Sequence, residues 1–317
     1  MTITAKILAY SISPNGQKIV SWELEYPRFI HGEFMTHRLF SRNAASSRAI
    51  PVKSMLEQIR NKPAMPVHFG LNQPGMQAKE ECFADVDFNE YHAGEWRNSY
   101  DPAEAWQVAA ESACMIAEAF SDAGYHKQIV NRLIEPFQTM KTVMTATCMD
   151  NFFWLRNHED AQPEIKELAR LMWEALQSED PVTLEPGDWH VPYFGEGYWL
   201  KGCGIPLEDA LAISSSCCAQ VSYRRLDDTL EKAQMIFQRL VESEPVHASP
   251  FEHQATPMNN PDYEGMILKR FMDDEVGCFD DGVTHTDRNG NNWSGNFIGW
   301  IQFRQTIPNN VCHKYEP

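Results

Sequence analysis

The chain has 317 residues, of which 43% are hydrophobic, and this fraction is enough for a substantial core and excludes wholesale disorder. Its 27 basic and 44 acidic residues give a net charge of −17, which argues against a general nucleic-acid or anionic-membrane surface. No apolar run reaches the ~18 residues of a membrane-spanning helix, and the N-terminus has no signal-peptide anatomy. We therefore expect a cytoplasmic protein with no nucleic-acid and no membrane partner.

The first 30 residues predict a β-hairpin. Segments 4–13 and 17–26 are rich in strand formers and flank Asn15-Gly16, a strong turn signal. A helix-like segment follows over residues 29–40. Residues 51–100 are rich in Pro, Gly, Gln and Asn, so we interpret them as an excursion with short helices outside the core.

Capping residues and apolar periodicity predict three longer helices. Asp101 and Pro102 begin the first, which ends near Asp122. The second begins at Gln162-Pro163, and the third spans residues 228–242. The apolar stripe of the first helix is expected to comprise Trp106, Ala110, Cys114, Ile116 and Phe120. The chain as a whole predicts an α+β fold with helices dominating the middle.

The remaining segments carry weaker signals. Residues 180–205 combine Pro, Gly and aromatic side chains and predict a loop. Residues 297–304 regain apolar character and predict a helix that packs beside residues 36–51. The eight cysteines include no CxxC pair, so we expect reduced, buried thiols and no metal site.

One segment, residues 36–51, concentrates polar side chains in the sequence THRLFSRNAASSRAIP. Clustered arginines and hydroxyls are the donors that a phosphate site needs. An exposed polar turn is the alternative interpretation. The polar residues of this segment are His37, Arg38, Ser41, Arg42, Asn43, Ser46, Ser47 and Arg48.

Two further segments are candidates for chemistry. Arg156 ends an apolar run that begins after Asn151, so we expect it to be partly buried and paired with an anionic or accepting group. A structural ion pair with Glu159 or Glu164 is the alternative. The third segment combines CAQVSYRR with HASPFEH (residues 247–253), and by itself it predicts a helix end that runs into a strand.

Together these segments resemble the flavin-dependent thymidylate synthase family, whose signature is RHRxxSxNExSxRY. The chain retains the signature residues His37, Arg38, Ser41, Asn43, Ser46 and Arg48. It has Thr36, Ala44 and Ala49 where the family has arginine, glutamate and tyrosine. The segments CAQVSY and HASPFEH are similar to the block that ordinarily precedes the signature, whereas here they follow it, so we expect a circularly permuted chain.

The resemblance implies one domain over residues 1–317, with helices packed on a mainly antiparallel sheet and a permuted block order. Its expected parts are a signature block (19–51), a central helical block (124–178), a permuted block (218–253) and a C-terminal extension (254–317). The implied reaction transfers a one-carbon unit from methylenetetrahydrofolate to C5 of dUMP, with FAD as the flavin and NADPH as its reductant. The implied assembly is a homotetramer whose flavin sites lie at subunit interfaces.

The resemblance also implies residue roles. The expected catalytic residues are Arg156 and Ser46. The expected substrate-binding residues are Glu33, Ser46, Ser47, Arg48, Lys141 and Arg156. The expected flavin contacts are His37, Arg38, Ser41, Asn43, Asn151, Ser222, His247 and Ser249.

Departures from the family pattern leave alternatives open. Ala44 removes a carboxylate, Glu33 stands where glutamine is usual, and Thr36 removes a charge that Arg304 of the C-terminal segment could restore. The first alternative is a flavin-dependent hydroxymethylase of a deoxypyrimidine nucleotide, in which water rather than hydride captures the methylene intermediate. The others are a non-catalytic nucleotide- or flavin-binding homologue and a phosphate-binding structural protein without flavin.

Overall fold

The computed structural model describes residues 3–92, 95–222, 226–262 and 280–315. The helices of these ranges are α1 (His31–Phe34), α2 (Val52–Asn61), α3 (Pro102–Asp122), α4 (Lys127–Val130), α5 (Asp150–Arg156), α6 (Pro163–Gln177), α7 (Leu207–Ala219) and α8 (Leu230–Glu242). The strands are β1 (Thr4–Ile12), β2 (Lys18–Pro27), β3 (Ser41–Ala44), β4 (Val86–His92), β5 (Glu95–Tyr100), β6 (Thr139–Ala146), β7 (Val182–Thr183), β8 (Trp189–His190), β9 (Tyr198–Trp199), β10 (Ala255–Pro257), β11 (His285–Thr286), β12 (Asn292–Ser294), β13 (Phe297–Ile298) and β14 (Trp300–Gln302). Tyr223 and Arg225 of the third candidate segment, and Cys278, lie outside the described residues.

The main sheet has the strand order β3-β6-β2-β1-β7. Strands β1 and β2 form the predicted antiparallel hairpin, and Gly16 adopts a φ of +80° in its turn, a conformation that glycine reaches without a steric penalty. Strands β6 and β3 continue the antiparallel pairing, whereas β7 runs parallel to β1. The expected α+β class with a mainly antiparallel sheet is therefore confirmed.

The two faces of this sheet differ in chemistry. Because side chains alternate along a strand, Trp22, Leu24 and Tyr26 of β2 share one face, which packs in the apolar core with residues of α5 and α6. The opposite face carries Ser21 and Glu23 and packs against a second sheet of order β14-β10-β8-β9. One face of the main sheet is thus apolar, and the other carries buried polar groups.

The predicted long helices are confirmed, with small changes. Asp101 caps α3 by accepting a hydrogen bond from the Glu104 amide at 2.9 Å. The expected apolar stripe is partly wrong, because Ile116 and Phe120 are 48% and 36% exposed while Ala117 is buried. Helix α6 begins at Pro163 as predicted, and α8 begins at residue 230 rather than 228.

Three other sequence predictions need correction. Residues 51–100 are not merely an excursion, since Met55, Leu56 and Ile59 of α2 are buried against α3 and residues 86–100 form the β4–β5 hairpin. Residues 29–40 form only a 3₁₀ turn and the short α1. The 180–205 segment contains β7, β8 and β9, and it is followed by α7, of which only the C-terminal end was predicted.

The C-terminal segment does pack beside residues 36–51, but as strands. Residues 297–302 form β13 and β14, followed by a 3₁₀ turn, because Gly299 at a φ of +71° separates the two strands. Cys203 and Cys312 are exposed, so the expectation of buried thiols is wrong for these two cysteines. Within the described ranges, no helix combines the length and the apolar character needed to cross a membrane.

Candidate functional site

Arg156, the last residue of α5, reaches the segment before β3. Its Nε donates to Nε2 of His37 at 3.0 Å, and its Nη2 donates to Oγ1 of Thr36 at 3.3 Å. Among the ion pairs of the described residues none includes Arg156, and Glu164 instead accepts from the Val67 amide at 2.7 Å. Arg156 is therefore held by neutral acceptors, and among the described residues no carboxylate lies within ion-pair distance of it.

His37 is the side chain that orients this guanidinium. Its ring meets Phe152 edge-on with 4.9 Å between ring centroids. Burial, and then the positive charges of Arg156 and Arg42, lower the pKa of His37 to about 4. The imidazole is consequently neutral at pH 7, and its Nε2 is free to accept the Arg156 bond.

A cleft of about 880 Å³ opens beside Arg156. Its walls come from α5, from the turn that leads into α6, from Glu33 on α1 and from the loop 68–79. This volume lies within the range of small-molecule sites. Its charged lining residues are Glu33, Lys79, Arg156, Glu159, Asp160 and Lys166.

The loop 68–79 was not predicted as part of any site. It is held against the start of α6, where Gln77 donates to the Asp160 carbonyl at 2.8 Å and Lys79 lies 3.9 Å from the Asp160 carboxylate. Nε2 of His68 in the same loop donates to the Ala78 carbonyl at 3.0 Å, so this nitrogen carries the proton. No local motif marks this loop, because its role depends on its packing against α5 and α6.

A second group of predicted residues meets at β3, the edge strand of the main sheet. The Ser46 amide donates to the Ser222 hydroxyl at 2.8 Å, which joins the signature segment to the end of α7. The Asn43 amide nitrogen donates to the Ser249 carbonyl at 3.1 Å, because an amide oxygen at that position would face only acceptors. Two segments that lie about 200 residues apart in sequence are therefore side by side.

Exposed donors belong to the segments that flank or contact this edge. The side chains of Arg38 and Arg48 flank β3 in sequence, and His247 and Ser249 belong to the segment packed against it. All four residues are exposed, as is Asn151 at the start of α5. Guanidinium, imidazole and hydroxyl groups in this arrangement are suited to binding a phosphorylated ligand.

Three predicted site residues already have protein partners. Ser47 is buried and donates to Glu135 at 3.1 Å. Lys141 lies 3.6 Å from the Glu23 carboxylate, away from the cleft lining. Ser41 donates to Asn296 and accepts from Gln302, each at 3.1 Å.

Arg304 does not supply a free charge. Its Nη1 donates to the Glu252 carboxylate, and its Nη2 donates to the Asn310 carbonyl at 3.1 Å. Because Glu252 neutralises it, Arg304 ties the C-terminal segment to residues 247–253 rather than replacing the arginine that Thr36 lacks.

A comparison with protein-family models places the signature segment and Arg156 in one match, which covers residues 13–182 and is described as thymidylate synthase complementing protein. This chain belongs to that family. The family match ends before α7, so the segments 218–222 and 247–253 lie outside it.

Two solved structures are similar to parts of this chain. A UMP/dUMP methylase, PolB from Streptomyces cacaoi bound with 5-Br dUMP, is 16% identical over 56% of this chain and 90% of that one, with a TM-score of 0.39. Thymidylate synthase X from Helicobacter pylori, with FAD and dUMP, is 13% identical over 50% of this chain and 67% of that one, with a TM-score of 0.34. No curated protein sequence matches the chain.

Proposed function

We propose that this protein is a flavin-dependent thymidylate synthase, which transfers a one-carbon unit from methylenetetrahydrofolate to C5 of dUMP. One observation carries the proposal: the Arg156 guanidinium lines a nucleotide-sized cleft, and a hydrogen bond to the neutral imidazole of His37 orients it. Membership of the thymidylate synthase complementing protein family supports the same reaction class.

Arg156 is proposed to bind the pyrimidine ring. C5 of uracil is a poor nucleophile, and it attacks the methylene carbon more readily when negative charge accumulates on the ring and its carbonyl groups. A guanidinium that donates to such a carbonyl stabilises that charge, and it does so more strongly in a partly enclosed cleft than in water. Ser46 and Arg48 are proposed to hold the nucleotide phosphate, whereas Ser47 and Lys141, which the family resemblance also implied, are engaged by Glu135 and Glu23.

FAD is the proposed cofactor, and the donors at the β3 edge fit its pyrophosphate. The proposed contacts are His37, Arg38, Ser41, Asn43, Asn151, Ser222, His247 and Ser249. When bound and reduced, the flavin would supply the hydride that converts the transferred methylene to a methyl group, and NADPH would be its reductant. C5 loses its proton in the same conversion, and tetrahydrofolate is the folate product.

The block order is proposed to be permuted. The contacts that support this are Ser46 with Ser222 and Asn43 with Ser249, which place the 218–222 and 247–253 segments beside the signature strand. A homotetramer is also proposed. Several of the proposed flavin donors at this edge are exposed on the single chain, as expected for a flavin site at a subunit interface.

Hydroxymethylation is the second candidate function. Glu33 lines the same cleft as Arg156, so a carboxylate faces the space where the nucleotide is proposed to bind. A carboxylate there is placed to accept a proton from a water that captures the methylene intermediate in place of hydride. Both reactions use dUMP and methylenetetrahydrofolate, but water takes the place of hydride in the second, so the products differ in mass.

Mass spectrometry of the nucleotide products tests both candidates. The purified protein is incubated with FAD, NADPH, methylenetetrahydrofolate and dUMP, and thymidylate is the expected product. Arg156→Ala is expected to abolish turnover, while Arg170→Ala, on the exposed side of α6 and paired with Glu167 and Glu174, is the matched control. A hydroxymethyl product would favour the second candidate, and unaltered dUMP would contradict both.

A further inference from the structure

A chain of side-chain hydrogen bonds crosses the polar face of the main sheet. It links β1, β2, β6 and β3 through two histidines that come from the second layer of the molecule. Its members in order are Ser11, His190, Ser21, Thr145, His253 and Asn43.

The half of this chain nearest the candidate flavin site runs from Thr145 to Asn43. Thr145 Oγ1 lies 2.9 Å from Nδ1 of His253, and Nε2 of His253 lies 3.3 Å from the Asn43 amide. Because Asn43 presents its amide nitrogen, Nε2 of His253 accepts and Nδ1 carries the proton that is donated to Thr145. One histidine tautomer is therefore selected.

The far half repeats this arrangement. Thr145 lies 2.6 Å from the Ser21 hydroxyl, which lies 2.8 Å from Nε2 of His190. Nδ1 of His190 lies 2.9 Å from the Ser11 hydroxyl. With Thr145 and Ser21 each donating onward, every hydroxyl between the two histidines donates once and accepts once.

Because this hydrogen-bond chain is buried, the loss of any one of its bonds leaves polar atoms without a partner. Ser21, Thr145, His190 and His253 are all 0% exposed, so a hydrogen bond lost there is not replaced by water. Burial lowers the pKa of both histidines to about 3, so both are neutral near pH 7. A buried polar row of this kind adds less to stability than apolar packing would, but it admits few alternative arrangements.

The Asn43 amide nitrogen faces three acceptors, namely Nε2 of His253 at the end of this hydrogen-bond chain and the carbonyls of Ser249 and Arg42. Asn43 is half-buried, stands on edge strand β3 and contacts the Ser249 carbonyl, so it lies where the two halves of the proposed flavin site meet. We propose that Thr145 and His253 are positioning residues, which hold the Asn43 amide in the orientation that the flavin site requires. This inference rests on the proposed function for its ligand and on the described contacts for its geometry.

The test replaces one hydroxyl by a methyl group of the same shape. Thr145→Val breaks the hydrogen-bond chain in its middle, whereas Thr145→Ser retains the hydroxyl. Thr142→Val is the matched control, since Thr142 is equally buried on the same strand but faces the apolar side and bonds Tyr26 at 2.9 Å. The readouts are the FAD dissociation constant, the visible spectrum of bound FAD and the temperature of unfolding.

Thr145→Val is expected to weaken FAD binding by about tenfold, which corresponds to one lost hydrogen bond, and to shift the flavin spectrum. Thr145→Ser and Thr142→Val are expected to bind FAD as the unaltered protein does. If Thr145→Val and Thr142→Val change FAD affinity equally, the positioning role is wrong and Thr145 is only structural.

A second measurement separates this inference from the proposed function. The side-chain amide of Asn43 and the ring nitrogens of His253 are observed by NMR without any ligand. Thr145→Val is expected to change the His253 tautomer and to broaden the Asn43 amide signal, whereas Thr142→Val leaves both unchanged. An unchanged Asn43 signal in Thr145→Val would overturn the inference, and absence of FAD binding by the unaltered protein would overturn the proposed function instead.

Discussion

Arg156 Nε donates to Nε2 of His37 across 3.0 Å, and this bond joins the end of α5 to the segment that precedes β3. The residues are 119 positions apart in sequence. Because the acceptor is a neutral imidazole rather than a carboxylate, the arginine is oriented without losing its charge. This pairing leads to the first prediction.

Arg156 and His37 should act as a unit. We expect Arg156→Lys, which keeps the charge but loses the Nε donor, and His37→Gln each to lower kcat/KM for dUMP by about 10- to 100-fold. The kcat/KM of the double variant should be no lower than that of the less active single variant, because each change breaks the same bond. Steady-state kinetics of all three variants measures the coupling, and exposed His313→Gln is the control for the histidine change.

The free energy of unfolding should fall at acidic pH because of His190 and His253. Burial lowers the pKa of each from 6.5 to about 3, so below pH 6.5 the unfolded chain binds protons that the folded chain excludes. The free energy of unfolding is not reduced by these histidines above pH 6.5. Between pH 6 and pH 4, each histidine should lower it by about 1.4 kcal/mol per pH unit.

Denaturant unfolding at several pH values measures this dependence. His253→Gln should reduce the slope of unfolding free energy against pH by one proton's worth, about 1.4 kcal/mol per pH unit. Exposed His313→Gln should leave it unchanged. An identical slope in His253→Gln would show that this histidine is protonated equally in both states.

Lys79 should affect nucleotide binding but not stability. Its ion pair with Asp160 is 3.9 Å long and the Lys79 side chain is 73% exposed, so the pair adds little to stability. We expect Lys79→Ala to raise the KM for dUMP about three- to tenfold, since it removes a positive charge from the cleft, and to leave the temperature of unfolding unchanged. Lys201→Ala, at an exposed residue that is not part of the cleft lining, should change neither quantity.

Ile59 should behave as a core residue, although the composition of residues 51–100 predicts a segment outside the core. It is 1% exposed in the cluster that joins α2 to α3. We expect Ile59→Ala to lower the free energy of unfolding by about 2–5 kcal/mol, and Val67→Ala, at a site that is 46% exposed, to lower it by less than about 1 kcal/mol. Denaturant unfolding of both variants decides whether α2 contributes to the core.

Local signals predicted the local elements of this fold. The Asn15-Gly16 turn and the Asp101 cap act within a few residues, so the sequence alone determined the β1–β2 hairpin and the start of α3. The motif residues His37, Asn43 and Arg156 were likewise identified from their segments. Signals of this kind do not depend on what the element packs against.

The tertiary structure decided which of these residues meet. Loop 68–79 lines the cleft, Lys141 faces Glu23, and Ser222 reaches Ser46, although no local pattern connects these pairs. Residues 297–302 became strands because pairing of β14 with β10 outweighed their ambiguous local preference. Burial, pairing and the choice of partner depend on residues far apart in sequence, and only the folded chain brings these together.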